Sequence, residues 1–274
     1  MEFRTLRLQI DAHVARITLS RPGVSNRVDT RLLRELEAAC EAIAAADGVS
    51  VTLLSADGPD FCAGWDPTVI ASQSFRSGKD GEATSVTLPP GGESPTSRLA
   101  PDPFGCLAKL PCPVVAAVQG AAISAGLELA LACDVRLAAE DARFALPEVA
   151  QGTLPLAGGS QRLPRIAGRA VATSMLLLGD ELDAQAAYRA GLVSRVFPAS
   201  ELASEAEATV AKIAAHGPLA LRYAKEAVQH GSELSLDQAL RYELDLSVIL
   251  QTTQDRAEGV RAFLAKRPPS FEGR

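Results

Sequence analysis

Histidine is scarce in this chain of 274 residues: there are three, at positions 13, 216 and 230. None sits in a recognisable partner motif, which argues against a Ser-His hydrolase and against an imidazole-built metal site. No metal is expected. The five cysteines show no Cys-x-x-Cys spacing, and an odd number in a long chain reads as reduced thiols, not a disulfide framework. No apolar run reaches the roughly 18 residues of a membrane span. Positive charge is also in short supply. Lys and Arg number 27 against 33 Asp and Glu, a net −6, and the basic residues are scattered. A nucleic-acid surface is therefore not expected. The opening Glu2-Phe3-Arg4-Thr5-Leu6-Arg7-Leu8 alternates charged and apolar residues and does not read as a secretory signal, so a soluble cytoplasmic protein is expected. Gly158-Gly159 is followed by no Lys-Ser/Thr, so it is no phosphate loop.

What the chain does have is apolar residues in two periods. Its 47% hydrophobic content is ample for a substantial core. Leu6-Leu8-Ile10 and Val14-Ile17-Leu19 predict a pair of strands by alternation. Asp29 or Thr30 is placed to cap a helix carrying Leu32, Leu33, Leu36, Cys40 and Ile43 on one face. Val49 to Leu54, Val114 to Val118 and Val135 to Ala138 are apolar enough for strands covered on both faces. The class is α/β. From about 200 onward the period becomes helical, in the stripes Leu202/Ala206/Val210/Ile213, Leu219/Tyr223/Ala227/Val228 and Leu236/Leu240/Leu244/Leu250. Thr252-x-x-Asp255 then signals a helix start before Phe263. Two regions are expected, 1–199 and 200–274. Between them in character stands 71–103, rich in Ser, Gly and Pro, which reads as a mobile surface loop or a lid.

Two small-residue turns follow strand-like segments, and each carries chemistry. Phe61-Cys62-Ala63-Gly64-Trp65-Asp66 is the first; Gln119 through Ser124-Ala125-Gly126-Leu127-Glu128 is the second, with an acid in the first turn of the helix it opens. The first amides of a helix lack internal partners and lie at its positive end, so they suit a developing anion. A second acid follows in Phe144-Ala145-Leu146-Pro147-Glu148. Ser124 half-resembles a nucleophile elbow, but the first glycine of that motif is missing. Cys62 has no partner in sequence that would activate a thiol, and reads as a buried filler.

Arg21-Pro22 with Asn26, the two turns, Pro147-Glu148, Gly152-Thr153, Gly158 to Leu163, Ala187 to Val193 and Asp255 to Leu264 occur in an order that resembles the enoyl-CoA hydratase/isomerase (crotonase) family. The resemblance covers nearly the whole chain. It implies a spiral of β-β-α repeats with a C-terminal helical region for trimerisation, as a homotrimer or a dimer of trimers (a hexamer). It further implies an enoyl-CoA hydratase, a lyase of fatty acid metabolism that adds water across the 2,3 double bond of an enoyl-CoA. The resemblance places Glu128 and Glu148 as the catalytic pair and the backbone amides of Ala63 and Ala125 as the oxyanion hole. Ser25, Arg27, Ala63, Gly64, Trp65, Asp66 and Gly126 are expected to line the substrate, and Lys266 to reach a neighbour's CoA. No cofactor is implied beyond the CoA of the substrate. Alternatives from the same resemblance are an enoyl-CoA isomerase using one glutamate, and a silent acyl-CoA-binding subunit. Departures from the family pattern are Ser124-Ala125-Gly126 in place of three glycines, the bulky Trp65, and Arg27 where a small residue is common.

Overall fold

The computed structural model describes residues 3–72 and 102–274; the expected loop over 71–103 lies, except for its ends, outside them. The chain opens with β1 (Leu6–Asp11) and β2 (Val14–Leu19), antiparallel in the register Leu6↔Leu19 to Asp11↔Val14. After a short 3-10 turn at Pro22–Val24, α1 (Thr30–Ala45) starts where its cap predicts. The Asp29 carboxylate accepts from the Leu32 amide at 2.8 Å. Then follow β3 (Val51–Ala56), α2 (Pro67–Ser72), α3 (Gly105–Ala108), β4 (Val114–Val118), β5 (Ala121–Ile123), α4 (Ala125–Leu131), β6 (Val135–Ala139) and β7 (Arg143–Ala145). A 3-10 turn at Glu148–Gln151 leads to α5 (Gly159–Ala167), α6 (Arg169–Leu178), β8 (Leu182–Asp183), α7 (Ala184–Arg189) and β9 (Arg195–Phe197). Four helices complete the chain: α8 (Leu202–Ala214), α9 (Pro218–Gly231), α10 (Leu236–Gln251) and α11 (Gln254–Leu264).

The strands form two layers. The larger sheet runs β1-β2-β3-β4-β6-β9, parallel from β2 onward; the smaller runs β5-β7-β8. Successive turns of the chain place one strand in each layer and then a helical segment: β4, β5, α4, then β6, β7 and the turn at Glu148. Isolated parallel bridges Val28↔Trp65 and Cys62↔Ala122 carry the smaller layer back into the preceding turns. This is the β-β-α spiral of the crotonase fold.

The apolar strands are covered on both faces, and their period of two shows how. Val51, Leu53, Val115, Ala117, Leu137 and Ala139 pack with Leu202, Ala206 and Val210 of α8, while Leu54, Val114, Ala116, Val118 and Ala138 face the main core. Only this first C-terminal stripe is core. No residue of α9 is buried, α10 buries Leu246 alone, and Leu236, Leu240 and Leu244 stand exposed. The α11 cap is Thr253, one residue beyond the expected Thr252; its hydroxyl accepts from the Arg256 amide at 3.1 Å.

A partly buried charge pair fastens α9 to the sheet. Asp134, just before β6, accepts the Val114 amide at 2.7 Å and the Lys225 ammonium at 2.8 Å, and Lys225 also donates to the Cys112 carbonyl at 3.1 Å. The Lys225 side chain is only 6% exposed. Stripping the carboxylate would leave that ammonium buried and unpaired. Asp134→Ala should therefore destabilise the fold by about 3 kcal/mol, readable as a lowered urea midpoint. A loss below about 1 kcal/mol, the value of an exposed pair, would show that the contact is only superficial.

Candidate active site

The two small-residue turns meet. Cys62 donates its amide to the Ala121 carbonyl at 2.8 Å and accepts from the Ile123 amide at 3.1 Å, so the segment after β3 lies alongside β5. Gly126, in the first turn of α4, sits against it so tightly that a Cβ there would lie 2.0 Å from the Cys62 carbonyl oxygen. Gly120 makes a similar approach, its missing Cβ 2.2 Å from the Pro59 carbonyl oxygen. Ser124 occupies φ 54°, ψ −124°, a conformation that favours glycine, and its Cβ fits because residue 64 has none.

Three amides at this junction decide which donors are available. Among the described residues, Ala125 at the first position of α4 donates to no acceptor, and neither do Gly64 and Trp65. Ala63 is different: its amide donates to the Ser25 carbonyl at 2.9 Å, so the expected Ala63 donor is already engaged. The reason is the buried Asn26. Its side chain accepts from the Arg21 amide and donates to the Asp57 and Asp60 carbonyls, locking the 21–28 loop beside the first turn. Val28 then pairs with Trp65 through the Gly64 carbonyl and the Asp66 amide. In such a parallel bridge the N–H of Trp65 itself points away from Val28, to the side on which β5 and α4 lie.

The two acids come together by strand register. β5 and β7 pair with Ile123 opposite Ala145, and the Ser124 amide donates to the Ala145 carbonyl at 2.9 Å. Glu128 and Glu148 thus follow the ends of adjacent strands, and both are buried. Glu128 Oε1 accepts from the amides of Ala157 at 2.7 Å and Gly159 at 2.8 Å. Among the described residues, Glu128 Oε2 and both oxygens of Glu148 have no hydrogen-bond partner. Burial pushes the Glu128 carboxyl up to about 7; the Gly159 and Ala157 amides oppose that rise and the neighbouring Glu148 charge adds to it.

A further set of residues, none of them among the expected site residues, holds Glu128 in place. The Arg162 guanidinium donates to the Ala157 carbonyl at 3.0 Å and to Asp102 at 2.6 Å. The same peptide segment that receives Arg162 donates to Glu128. The signal was present in Gly158-Gly159, where a Cβ on residue 159 would press on the Glu128 side chain. Among the other expected lining residues, Asp66 is occupied by Thr68 and Arg21, capping α2. The Arg27 guanidinium forms no ion pair among the described residues.

Two small-residue turns, two buried acids and a β-β-α spiral define an acyl-thioester class of site, and the chain's relatives agree. Residues 9–274 match the family described as Enoyl-CoA hydratase/isomerase. The chain belongs to that family. It is 40% identical to the 2,3-dehydroadipyl-CoA hydratase of Escherichia coli (strain K12) over 258 residues, 94% of each chain. It is 34% identical to the (E)-benzylidenesuccinyl-CoA hydratase of Thauera aromatica, covering 97% of this chain and 98% of that one. A crystal structure of an enoyl-CoA hydratase from Bacillus anthracis superposes with a TM-score of 0.87 at 34% identity, covering 99% of this chain and all of that one.

Burying Glu128 carries a stability cost with a defined sign. Its folded value near 7 exceeds its ordinary 4.5, so the folded state binds the extra proton between those limits, and stability falls as pH rises through that window. The shift corresponds to about 3 kcal/mol above pH 7. Glu128→Gln removes the penalty. The variant should melt higher than the wild type at pH 8, with the gap narrowing toward pH 4.5. A constant gap across that range in paired thermal melts would rule out this origin.

Proposed function

We propose that this chain is an enoyl-CoA hydratase, adding water across the 2,3 double bond of a 2-enoyl-CoA thioester. The observation that carries the reading is the set of three buried carboxylate oxygens without a partner among the described residues, Glu128 Oε2 and Glu148 Oε1 and Oε2, on acids that follow the ends of adjacent strands. Buried oxygens without partners need an occupant, and a water between two acids satisfies them. Relatives bearing the printed name hydratase support the same reading.

The thioester oxygen lies in the hole between α4 and the first turn, accepting from the Ala125 amide. Its second donor is the Trp65 amide, which takes the place given by sequence to Ala63. As the water oxygen bonds to C3, one carboxylate takes its proton and the C2–C3 π electrons move onto the thioester oxygen. The resulting enolate is held by the two amides, and the protonated partner acid then delivers a proton to C2. Each such amide is worth about 3–4 kcal/mol in the transition state. Glu128, titrating near neutrality, can hold or release a proton at working pH. The thioester supplies the activation, so no further cofactor enters. Ser25, Gly64 and Gly126 shape the walls, and Arg27 offers an unspent cation to the CoA phosphates.

Assembly forms part of this reading. Phe263 is 82% exposed and Leu236 73%, and α6 presents Leu177 and Leu178 along an open groove of about 660 Å³. Apolar faces of this extent suit a homotrimer or a dimer of trimers, with exposed Lys266 beyond α11 placed to meet a neighbour's CoA. A cytoplasmic setting suits five free cysteines. Light scattering at micromolar concentration should return three or six times the chain mass; a monomer there would remove the assembly from the proposal.

Hydration uses both acids. Glu128→Gln and Glu148→Gln should each cut crotonyl-CoA hydration by about 10²–10⁴-fold, with little change in acyl-CoA binding. An isomerase would depend on Glu148 and tolerate loss of Glu128, and a silent binder would show no turnover before mutation. Full hydration in either variant, followed by loss of the conjugated thioester absorbance, would overturn the assignment.

A further inference from the structure

We infer that the indole N–H of Trp65 is a specificity donor for an oxygen atom carried on the acyl chain of the substrate. The inference rests on the acyl-thioester site proposed above and names its substrate class more narrowly.

The Trp65 side chain is 5% exposed, and its ring stacks on Phe104 with centroids 6.1 Å apart and planes at 15°. Stacking and burial account for the ring. They do not account for the N–H, since Trp65 Nε1 is buried with no hydrogen-bond partner among the described residues. Indole is a donor only, and a buried donor left unmade is costly, so a structure keeps one where something else supplies the acceptor. A phenylalanine would fill the same place and stack on Phe104 without that cost.

The location of the orphan says what the acceptor belongs to. Among the described residues, the buried side-chain atoms without partners are Trp65 Nε1, Asp102 Oδ1, Glu128 Oε2 and the two Glu148 oxygens. A chain of contacts connects Trp65, Asp102 and Glu128, and the Glu148 charge acts on Glu128. Trp65 stacks on Phe104, Asp102 lies two residues before Phe104 and pairs with Arg162, and Arg162 holds the Ala157 carbonyl beside Glu128. The polyanionic CoA stays at the surface, and the acyl chain is the part that enters a buried apolar cluster containing Trp65 and Phe104. One residue then reads two oxygens, with its amide on the thioester and its indole on the chain. The acceptor is uncharged. The charged groups along that chain of contacts are carboxylates, Glu128, Glu148 and Asp102, and the one cation, the Arg162 guanidinium, is occupied by Asp102 and the Ala157 carbonyl. An ether, keto or hydroxyl oxygen a few bonds beyond the double bond fits; a plain hydrocarbon leaves the donor unmade.

Two isosteric pairs test this: 4-methoxycrotonyl-CoA against 2-hexenoyl-CoA, and 5-methoxy-2-pentenoyl-CoA against 2-heptenoyl-CoA. In the wild type kcat/KM should favour the oxygen-bearing member of at least one pair by about tenfold or more, the discrimination of a made against an unmade buried hydrogen bond. Trp65→Phe should collapse that ratio toward one, whereas a role in packing alone would lower both members together. Trp65 is the chain's single tryptophan, so emission excited at the indole band reports this side chain in the unmodified protein. The saturated 4-methoxybutanoyl-CoA or 5-methoxypentanoyl-CoA should shift that emission to longer wavelength relative to hexanoyl-CoA or heptanoyl-CoA, even if the variant fails to fold. No preference in either pair, with crotonyl-CoA still hydrated, would overturn the inference and leave the hydratase reading standing. Absence of all hydration would instead sink the hydratase reading, and the emission comparison would then decide the inference alone.

Discussion

The contact on which the rest of this molecule turns is the approach of Gly126 to the Cys62 carbonyl. With a methyl group in place of hydrogen, a Cβ would lie 2.0 Å from that oxygen, and one of the two segments would have to move. No rotamer relieves such a clash, because both partners are backbone. The hydrogen bonds of Cys62 with Ala121 and Ile123 exist only at this distance. Through them the first turn and the start of α4 face each other, with unspent amides on both sides. The sequence keeps a glycine where the Cβ is forbidden and spends Ser124 and Ala125 where it is tolerated, although Ser124 pays in backbone strain at φ 54°.

Around that junction the chain collects groups that a folded protein ordinarily avoids. A carboxyl held near 7, a second acid with both oxygens unpartnered, and an indole N–H with no acceptor are each unfavourable in the free protein. They are tolerated because the surroundings are over-determined. Ala157 and Gly159 fix Glu128, Arg162 fixes Ala157, and the Arg136 guanidinium holds the Ala130, Cys133 and Leu192 carbonyls at the far end of α4. The outer face of the sheet is covered by α8, while the main core runs up to the site itself through Phe61, Trp65, Ala125, Leu127 and Ala157. That packing holds a preorganised but costly arrangement in place.

The C-terminal helices show the opposite economy. α8 closes the open face of the sheet, whereas α9 is tied to it through the partly buried Lys225–Asp134 pair and has no fully buried residue. Helices α10 and α11 present leucines and a phenylalanine outward. A helical stripe in sequence is the same whether its partner is the chain's own sheet or another molecule. Burial separates the two cases.

Period, caps and small-residue turns were legible in the sequence because each is a local consequence of backbone sterics. The alternation of Val114 to Val118, the Asp29 cap and the order of the two turns before Glu128 and Glu148 needed no distant information. The order of those motifs was enough for the family. Other features depended on distant partners. Ala63 and Trp65 lie two residues apart in one turn, and nothing local says that Ser25, held by Asn26, will engage the first amide and leave the second open. Nor does Glu128 announce in sequence that it will be pinned by amides of residues 157 and 159, since a glutamate in a first helical turn is ordinarily satisfied by its own helix. The sequence by itself determined the elements with a local period or cap: the strands of the larger sheet through β6, the helices α1 and α4 and the C-terminal helices. Tertiary structure decided which amides stay free and which charges are buried, because both depend on what the remainder of the chain brings within hydrogen-bond distance.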